Sequence, residues 1–267
     1  HGKTHASIKS FNNHWGMPLM VARMPSDTEF AVFEVGMSAA GEITPLSQLV
    51  RPHVAMITTI APAHLEFFES EGAIADAKAE ILAGLEPDGR VIMGHDHAHL
   101  SRLVQHAWNA GSAPLTYGFD DDADVCISDY AAGPDGAQGR VSGNGIALTL
   151  RIPTLGRHSF VNAVGALLAA REARVPVDVA LSVLARHGAP EGRGLAHRLG
   201  AEPKPLVLVD ESYNANPASM RAALDVFGQM DAPGGRRVLV LGDMRELGRA
   251  ADDLHTALAP AVIAAAP

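Results

Sequence analysis

Short apolar runs alternate with longer amphipathic segments over the first part of the chain. The runs at 30–35, 53–60 and 90–93 predict strands, and the periodic segments 72–85 and 99–110 predict helices. This alternation is typical of a parallel sheet covered by helices. The pattern therefore predicts an α/β fold, with a mostly parallel sheet and helices on both faces.

Residues 115–152 depart from this pattern. They contain short alternating segments separated by turns rich in glycine and aspartate, which predict a small antiparallel β-insertion or edge sheet. Helical periodicity returns at 159–173 and 176–187. The segment 188–194 is rich in glycine and proline and predicts a linker. We therefore place a domain boundary near Arg193, which divides the chain into domains 1–193 and 194–267.

The second domain begins with its most informative segment. The apolar run 205–208 predicts a buried parallel strand, and the polar residues 209–217 lead from it into a helix with Pro217 near its first position. A second copy follows, with an apolar run at 237–241 and then 242–248. Ligands bind at the carboxyl ends of such strands. Turns of this kind also cap structural helices, but two of them favour a nucleotide site with its metal.

Three residues of the first domain are candidates for chemistry. Lys78 shares one helical face with apolar residues, where a lysine is more often a snorkelling side chain at the edge of the face. Glu34 ends the buried strand predicted at 30–35, and an interior carboxylate is costly unless it is paired or bound to metal. The alternative is a partly exposed residue at the end of a strand. His64 also follows a predicted strand, and a structural role is equally compatible with that position.

Two motifs offer competing interpretations. His95, His97 and His99 alternate around Asp96 and suggest a metallohydrolase, although Asp96 comes too early for the usual spacing and such a run is more often a solvated loop. Gly2-Lys3-Thr4 has the residue types that end a phosphate-binding loop. Because no helix signal follows, we expect Lys3 not to be a phosphate-loop lysine.

Composition excludes several classes of protein. The chain has 267 residues, 47% of them hydrophobic, which is enough for sizeable cores. The formal net charge is −9 and no basic block occurs, so we expect no nucleic-acid partner. No apolar run reaches transmembrane length. The single cysteine, Cys126, cannot form an internal disulfide, which fits a cytoplasmic location.

Several motifs together carry a resemblance to a known family. They are F-N-N-H-W-G-M-P-L at 11–19, F-E-V-G-M at 33–37, A-H-L-E at 63–66, D-E-S-Y-N-A-N-P at 210–217 and G-D-M-R-E-L-G at 242–248. In this order they resemble the Mur ligases, from about Thr4 to about His255. Each motif alone is weak, but their joint order is highly specific.

The resemblance implies a fold and a reaction. It implies a P-loop-type central domain at 1–193 and a Rossmann-like domain at 194–267, both truncated. The reaction would be ATP-dependent addition of D-alanyl-D-alanine to UDP-N-acetylmuramoyl-tripeptide through an acyl phosphate, with Mg²⁺, by a cytoplasmic monomer. The alternative is another amide ligase of the superfamily, such as a folylpolyglutamate synthase. The chain begins with histidine and has no complete phosphate loop, so we expect a fragment that is inactive alone.

The resemblance also assigns roles to residues. Glu34, His64 and Lys78 would be the catalytic residues and would support Mg²⁺, Lys78 as a carbamate. The residues expected to bind the nucleotide are Asn162, Arg193, Asp210, Tyr213 and Asn214. Those expected to face the amino-acid substrates are Asn12, Asn13 and His14. Three positions depart from the family pattern, namely Ser38, Gly94 and Ser159.

Overall fold

The computed structural model describes residues 1–8, 10–62, 65–133, 135–201, 206–230, 232 and 235–267. In chain order its strands are β1 (Thr4–Ala6), β2 (Phe30–Val32), β3 (Val54–Ile57), β4 (Arg90–Gly94), β5 (Pro114–Gly118), β6 (Val125–Gly133), β7 (Gly136–Gly143), β8 (Ile146–Ile152), β9 (Leu195–Leu199) and β10 (Leu206–Asp210). Its α-helices are α1 (Gly16–Ala22), α2 (Ile43–Val50), α3 (Glu71–Ala79), α4 (Leu100–Asn109), α5 (Arg157–Glu172), α6 (Val177–Leu184), α7 (Pro217–Gln229), α8 (Ala251–Thr256) and α9 (Ala259–Ala265). Two 3₁₀ turns complete the elements, at Glu80–Gly84 and Gly248–Ala250.

The main sheet has six strands in the order β3-β4-β5-β6-β7-β8. The strands from β3 to β6 pair in parallel, and β6, β7 and β8 pair antiparallel at one edge. The predicted α/β fold with a mostly parallel sheet is therefore confirmed. The segment predicted as an insertion is an edge extension of the same sheet, and its first strand, β5, belongs to the parallel part.

Helices cover both faces of this sheet, as the apolar runs predicted. Val91 and Met93 of β4 join a core with α3 and α4, whereas Ile92 joins the opposite core with α5. Successive side chains of a strand point to opposite faces, so a parallel strand needs apolar residues at every position. Ion pairing also joins α3 to α4, because Arg102 donates two hydrogen bonds of 2.6 and 2.7 Å to Asp76. Those bonds, led by Arg102, lower the pKa of Asp76 to about 2.

Helix α5 lies very close to the sheet. A Cβ atom added at Gly165 would lie 2.4 Å from the Tyr117 hydroxyl oxygen of β5. Tyr117 is fully buried, and its hydroxyl has no hydrogen-bond partner among the described residues. Burial, the main cause, raises the pKa of Tyr117 to about 12. Glycine at 165 is therefore required by the close approach of helix and strand.

The amino-terminal strands differ from the prediction. The strand at 30–35 is shorter, because β2 covers only Phe30–Val32 and pairs with β1 in a separate two-stranded sheet. Glu34 lies beyond its end and is exposed, so the prediction that Glu34 ends a buried strand is wrong. Residues Thr4–Ala6 form a strand rather than a helix, and Lys3 pairs with Asp27 at 2.5 Å. A phosphate-binding loop would open a helix here.

Two predictions for the second domain are wrong. Strand β10 pairs antiparallel with β9, not in a parallel sheet, and Leu206 and Leu208 are exposed. The apolar run 237–241 forms no strand, and Val240 is 93% exposed. An apolar run becomes a buried strand only where neighbouring strands and helices cover it. Among the described residues of this domain, β9 is the sole strand that pairs with β10.

The described helices include none that is both long enough and apolar enough to cross a membrane.

We predict opposite effects for two glycine substitutions. Gly165→Ala should lower the free energy of unfolding by about 1–3 kcal/mol, because the new methyl group clashes with Tyr117. The control Gly228→Ala in α7, where the nearest atom to an added Cβ is 3.7 Å away, should raise it by up to about 1 kcal/mol through helix propensity.

The Tyr117 hydroxyl, which has no hydrogen-bond partner among the described residues, provides a second test. Tyr117→Phe should stabilise the protein by about 1 kcal/mol and should relieve part of the Gly165→Ala defect. Urea unfolding of the three single variants and of the double variant Gly165→Ala/Tyr117→Phe measures these changes. Equal effects of the two glycine substitutions would contradict the close approach of α5.

Candidate active site

Two of the motif segments of the first domain lie side by side. The side-chain amide of Asn12 donates a 3.3 Å hydrogen bond to Glu34 Oε1. The backbone carbonyl of Asn12 accepts one of 2.9 Å from the Gly36 backbone amide. Met37, next in the chain, packs against the core that contains Ile74 of α3. The structure therefore brings two predicted site residues, Asn12 and Glu34, into direct contact.

Lys78 lies on α3 near this pair. Its side chain is half-buried, whereas its chain neighbours Ala77 and Ala79 are buried. Burial, the dominant effect, lowers the pKa of Lys78, and the negative charge of Glu34 partly opposes that shift. Lys78 and Glu34 are thus close enough to interact electrostatically. A buried lysine with a lowered pKa beside a carboxylate is a common feature of functional sites.

The neighbouring Asn13 and His14 have different surroundings. Asn13 Oδ1 accepts hydrogen bonds of 3.1 and 2.9 Å from the amides of Trp15 and Gly16, at the start of α1. This oxygen therefore forms a structural turn at the start of the helix. The His14 ring is exposed and lies 5.5 Å from the Trp15 ring, centroid to centroid. Substrate contact by Asn13 or His14 stays a prediction.

The linker 188–194 and the loop after β10 are held together by several contacts. The Arg193 guanidinium lies 4.3 Å from the centroid of the Tyr213 ring, in a cation–π contact. The Tyr213 amide donates to the Gly192 carbonyl at 3.1 Å, and the Gly194 amide donates to the Asp210 carbonyl at 2.8 Å. Three residues predicted to bind the nucleotide, Arg193, Asp210 and Tyr213, are therefore held together.

The same loop also caps a helix. Asn216 and Ser219 form a reciprocal capping box at the start of α7, with Pro217 in the first helical turn. Asn214 Oδ1 accepts from the Ala215 amide at 2.8 Å. Hydrogen bonds from Ser212, first from its hydroxyl and then from its amide, lower the pKa of Asp210. Capping accounts for Asn216, whereas Tyr213 and Asn214 remain exposed.

A hydrogen bond connects motifs of the two domains. The Glu66 amide, in the loop after β3, donates to the Glu246 carbonyl at 3.1 Å. Met244 and Leu247, from the same segment as Glu246, are buried with Leu258 and packed by residues that include Ala215 and Met220. The segment 242–248 therefore contacts both the loop after β3 and the loop after β10. The strand predicted before it is absent, but the segment still packs against the loop after β10.

Two further predicted residues stay untested. Asn162 is exposed near the amino end of α5. His64 lies outside the described residues, so its proposed metal role stays a prediction.

The three-histidine alternative is wrong for the described part of the chain. Within it, no three histidine, cysteine or acidic side chains are placed to hold a metal ion together. The Asp96 carboxylate instead accepts from the amides of Phe119 and Asp120 at 2.8 and 3.2 Å. His99 lies 3.3 Å from Glu71, at the start of α3.

One departure from the family pattern also lies beside these histidines. A Cβ atom at Gly94 would lie 1.9 Å from the Thr58 carbonyl oxygen. No larger residue fits this backbone, so glycine at this position is explained by the contact between β4 and the loop after β3.

Comparisons with known proteins agree with this assembly. Residues 1–170 match the family model of the Mur ligase middle domain. Residues 197–266 match the family model described as "Mur ligase, glutamate ligase domain". The UDP-N-acetylmuramoyl-tripeptide–D-alanyl-D-alanine ligase of Bacillus subtilis is 36% identical over 254 residues, which cover 95% of this chain and 53% of that protein. The Escherichia coli ligase of the same name is 33% identical over 275 residues, covering 99% and 57%.

A solved structure, MurF from Acinetobacter baumannii, superposes with a TM-score of 0.87 at 29% identity, covering 96% of this chain and 54% of that one. The chain thus spans about half the length of these relatives. From its matches to the middle and C-terminal domains, the chain belongs to the Mur ligase family.

Proposed function

We propose that this chain contributes the nucleotide- and substrate-handling part of an ATP-dependent ligase. The reaction is the addition of D-alanyl-D-alanine to UDP-N-acetylmuramoyl-tripeptide, the activity in the names of its curated relatives. The observation that carries the proposal is the contact of Asn12 with Glu34, whose charge acts on Lys78, together with the hydrogen bond from Glu66 of the first domain to Glu246 of the second. We further propose that the enzyme works in the cytoplasm as a monomer, and that the 267 residues alone are inactive.

The domain arrangement suits this function. We propose domains 1–193 and 194–267, and the family matches at 1–170 and 197–266 leave that boundary between them. Arg193 at the boundary contacts Tyr213. A movement of the second domain would therefore carry the linker and the loop 210–214 together.

The donor groups near Lys78 suit Mg²⁺. This hard ion prefers carboxylate and other oxygen ligands, and Glu34 has an exposed carboxylate of which one oxygen accepts from Asn12. Carbamylation of Lys78 would add a second anionic oxygen donor. It requires the neutral amine, and the lowered pKa of Lys78 increases that fraction. We propose Glu34, His64 and carbamylated Lys78 as the residues that support the ion.

The reaction then proceeds in two steps. The tripeptide carboxylate attacks the γ-phosphorus of ATP and ADP leaves, which gives an acyl phosphate. The amine of D-alanyl-D-alanine attacks the acyl carbon, loses a proton and releases phosphate. Mg²⁺, when bound, neutralises negative charge on the phosphate groups.

The chain's own residues bind and orient these reactants. We propose that Asn12, Asn13 and His14 face the amino-acid substrates, with Asn13 using its free amide group. Asn162, Arg193, Asp210, Tyr213 and Asn214 would bind the nucleotide, the last three from the second domain. Contact between the segment 242–248 and the loop after β3 would help exclude water that hydrolyses the acyl phosphate.

An amine screen tests the proposed substrate. In a protein extended to the full length of the relatives, D-alanyl-D-alanine should support ATP-dependent amide formation at least about a hundredfold faster than single amino acids, because a site that hydrogen-bonds a dipeptide leaves groups unpaired with shorter amines. The measurement is amide product by mass spectrometry. Preferred use of L-glutamate, with a folate or a muramoyl acceptor, would support a different ligase of the superfamily.

Lys78 provides a test of the mechanism. In the extended protein, Lys78→Ala should lower kcat about a hundredfold or more, since it removes the carbamate that would support Mg²⁺, the ion that would neutralise charge on the phosphate groups. Lys78→Arg should not restore activity, because arginine keeps the positive charge but does not form a carbamate. With isotope-labelled bicarbonate, a carbamate resonance should occur in the parent and not in Lys78→Ala.

Lys3→Ala is the matched control, because Lys3 is exposed and paired only with Asp27 among the described residues. It should leave kcat unchanged. Near-normal turnover of Lys78→Ala would instead identify Lys78 as a snorkelling side chain.

A further inference from the structure

Both ring nitrogens of His255, in α8, make hydrogen bonds. Nε2 lies 3.0 Å from the Met244 amide nitrogen, and Nδ1 lies 2.7 Å from the Ala251 carbonyl oxygen. An amide N–H can only donate and a carbonyl can only accept. Because a neutral imidazole has one donor and one acceptor nitrogen, Nε2 is the acceptor and Nδ1 carries the proton. The contacts therefore define the neutral tautomer of His255.

The segment that His255 holds has no regular secondary structure of its own. Residues 242–247 belong to no helix or strand. Met244 and Leu247 are buried, and Glu246 between them has a φ of 60°. That left-handed conformation is disfavoured for a residue other than glycine and persists where its surroundings impose it. The Met244 bond to His255 and the two buried side chains are the constraints next to Glu246.

The imposed conformation has a consequence in the other domain. It directs the Glu246 carbonyl to the Glu66 amide, 3.1 Å away in the loop after β3. Glu66 and Met244 are far apart in sequence, and each makes its bond through the backbone. The contact thus depends on the path of the segment, which sets where the Glu246 carbonyl lies.

We propose that His255 is a positioning residue for the ligase reaction. By accepting the Met244 amide hydrogen bond, it sets the path of segment 242–248 and with it the interdomain hydrogen bond from Glu66 to Glu246. This role rests on the proposed function for its catalytic meaning. The contact itself is testable without any substrate, so its failure and a failure of the ligase assignment are separable.

Hydrogen exchange on the full chain tests the proposal. His255→Leu keeps much of the side-chain volume but removes the acceptor, and His255→Asn is too short to reach the Met244 amide. Both should increase exchange at the Met244 and Glu66 amides about tenfold or more. His255→Gln places a carbonyl oxygen near the position of Nε2 and should restore most of the protection.

Two controls separate positioning from folding. Thr256→Ala changes an exposed neighbour on the same helix and should leave both amides unchanged. Exchange at Leu224, buried in α7 of the same domain, reports unfolding of that domain and should also stay unchanged. If the His255→Leu variant does not fold, the His255→Asn variant provides the same comparison. Faster exchange at Met244 with unchanged protection at Glu66 would overturn the proposal, because His255 would then stabilise only its local packing. Unchanged exchange at both amides would also overturn it.

Discussion

The burial of the parallel strands on both faces is the constraint on which the rest of the structure depends. Strands β3 and β4 have apolar side chains on both faces, so α3 and α4 must cover one face and α5 the other. This covering places Lys78 of α3 in a partly desolvated position and brings α5 so close to β5 that residue 165 must be glycine. It also places the loops after these strands along one edge of the sheet, where parallel α/β sheets bind their ligands.

The site that results is shared between two domains. One part is formed by Asn12, Glu34 and Lys78 of the first domain. The other is formed by the loop 210–216, which is tied to the linker through Arg193 and Tyr213. The segment 242–248 connects the second part to the first domain, because it packs with Ala215 and bonds to Glu66. Residues from distant parts of the sequence thus meet through a few backbone hydrogen bonds and one small apolar cluster.

Sequence periodicity predicted the first domain well because its elements are buried in a way that leaves a clear pattern. The strand at 90–93 and the helices at 72–85, 99–110 and 159–173 all occur with small shifts of their ends. The run at 237–241 has the same apolar pattern but forms no strand, since periodicity records what a segment can bury, not whether a partner covers it.

The candidate site was predictable only in part, through its motifs. The order of the motifs predicted Glu34 and Tyr213 as site residues. No spacing rule relates His255 to Met244, or Glu66 to Glu246. Those contacts depend on tertiary structure. The oxygen of Asn13 was ambiguous for another reason, because the same side chain serves equally well to cap a helix or to bind a ligand.

The account's central claim is amide formation through an acyl phosphate, and the fate of one oxygen atom tests it most directly. The tripeptide carboxylate would be labelled with heavy oxygen and converted to the amide by a protein extended to the relatives' full length, with ATP and D-alanyl-D-alanine. The account predicts that one labelled oxygen appears in each phosphate released. Amide formation with unlabelled phosphate would contradict it.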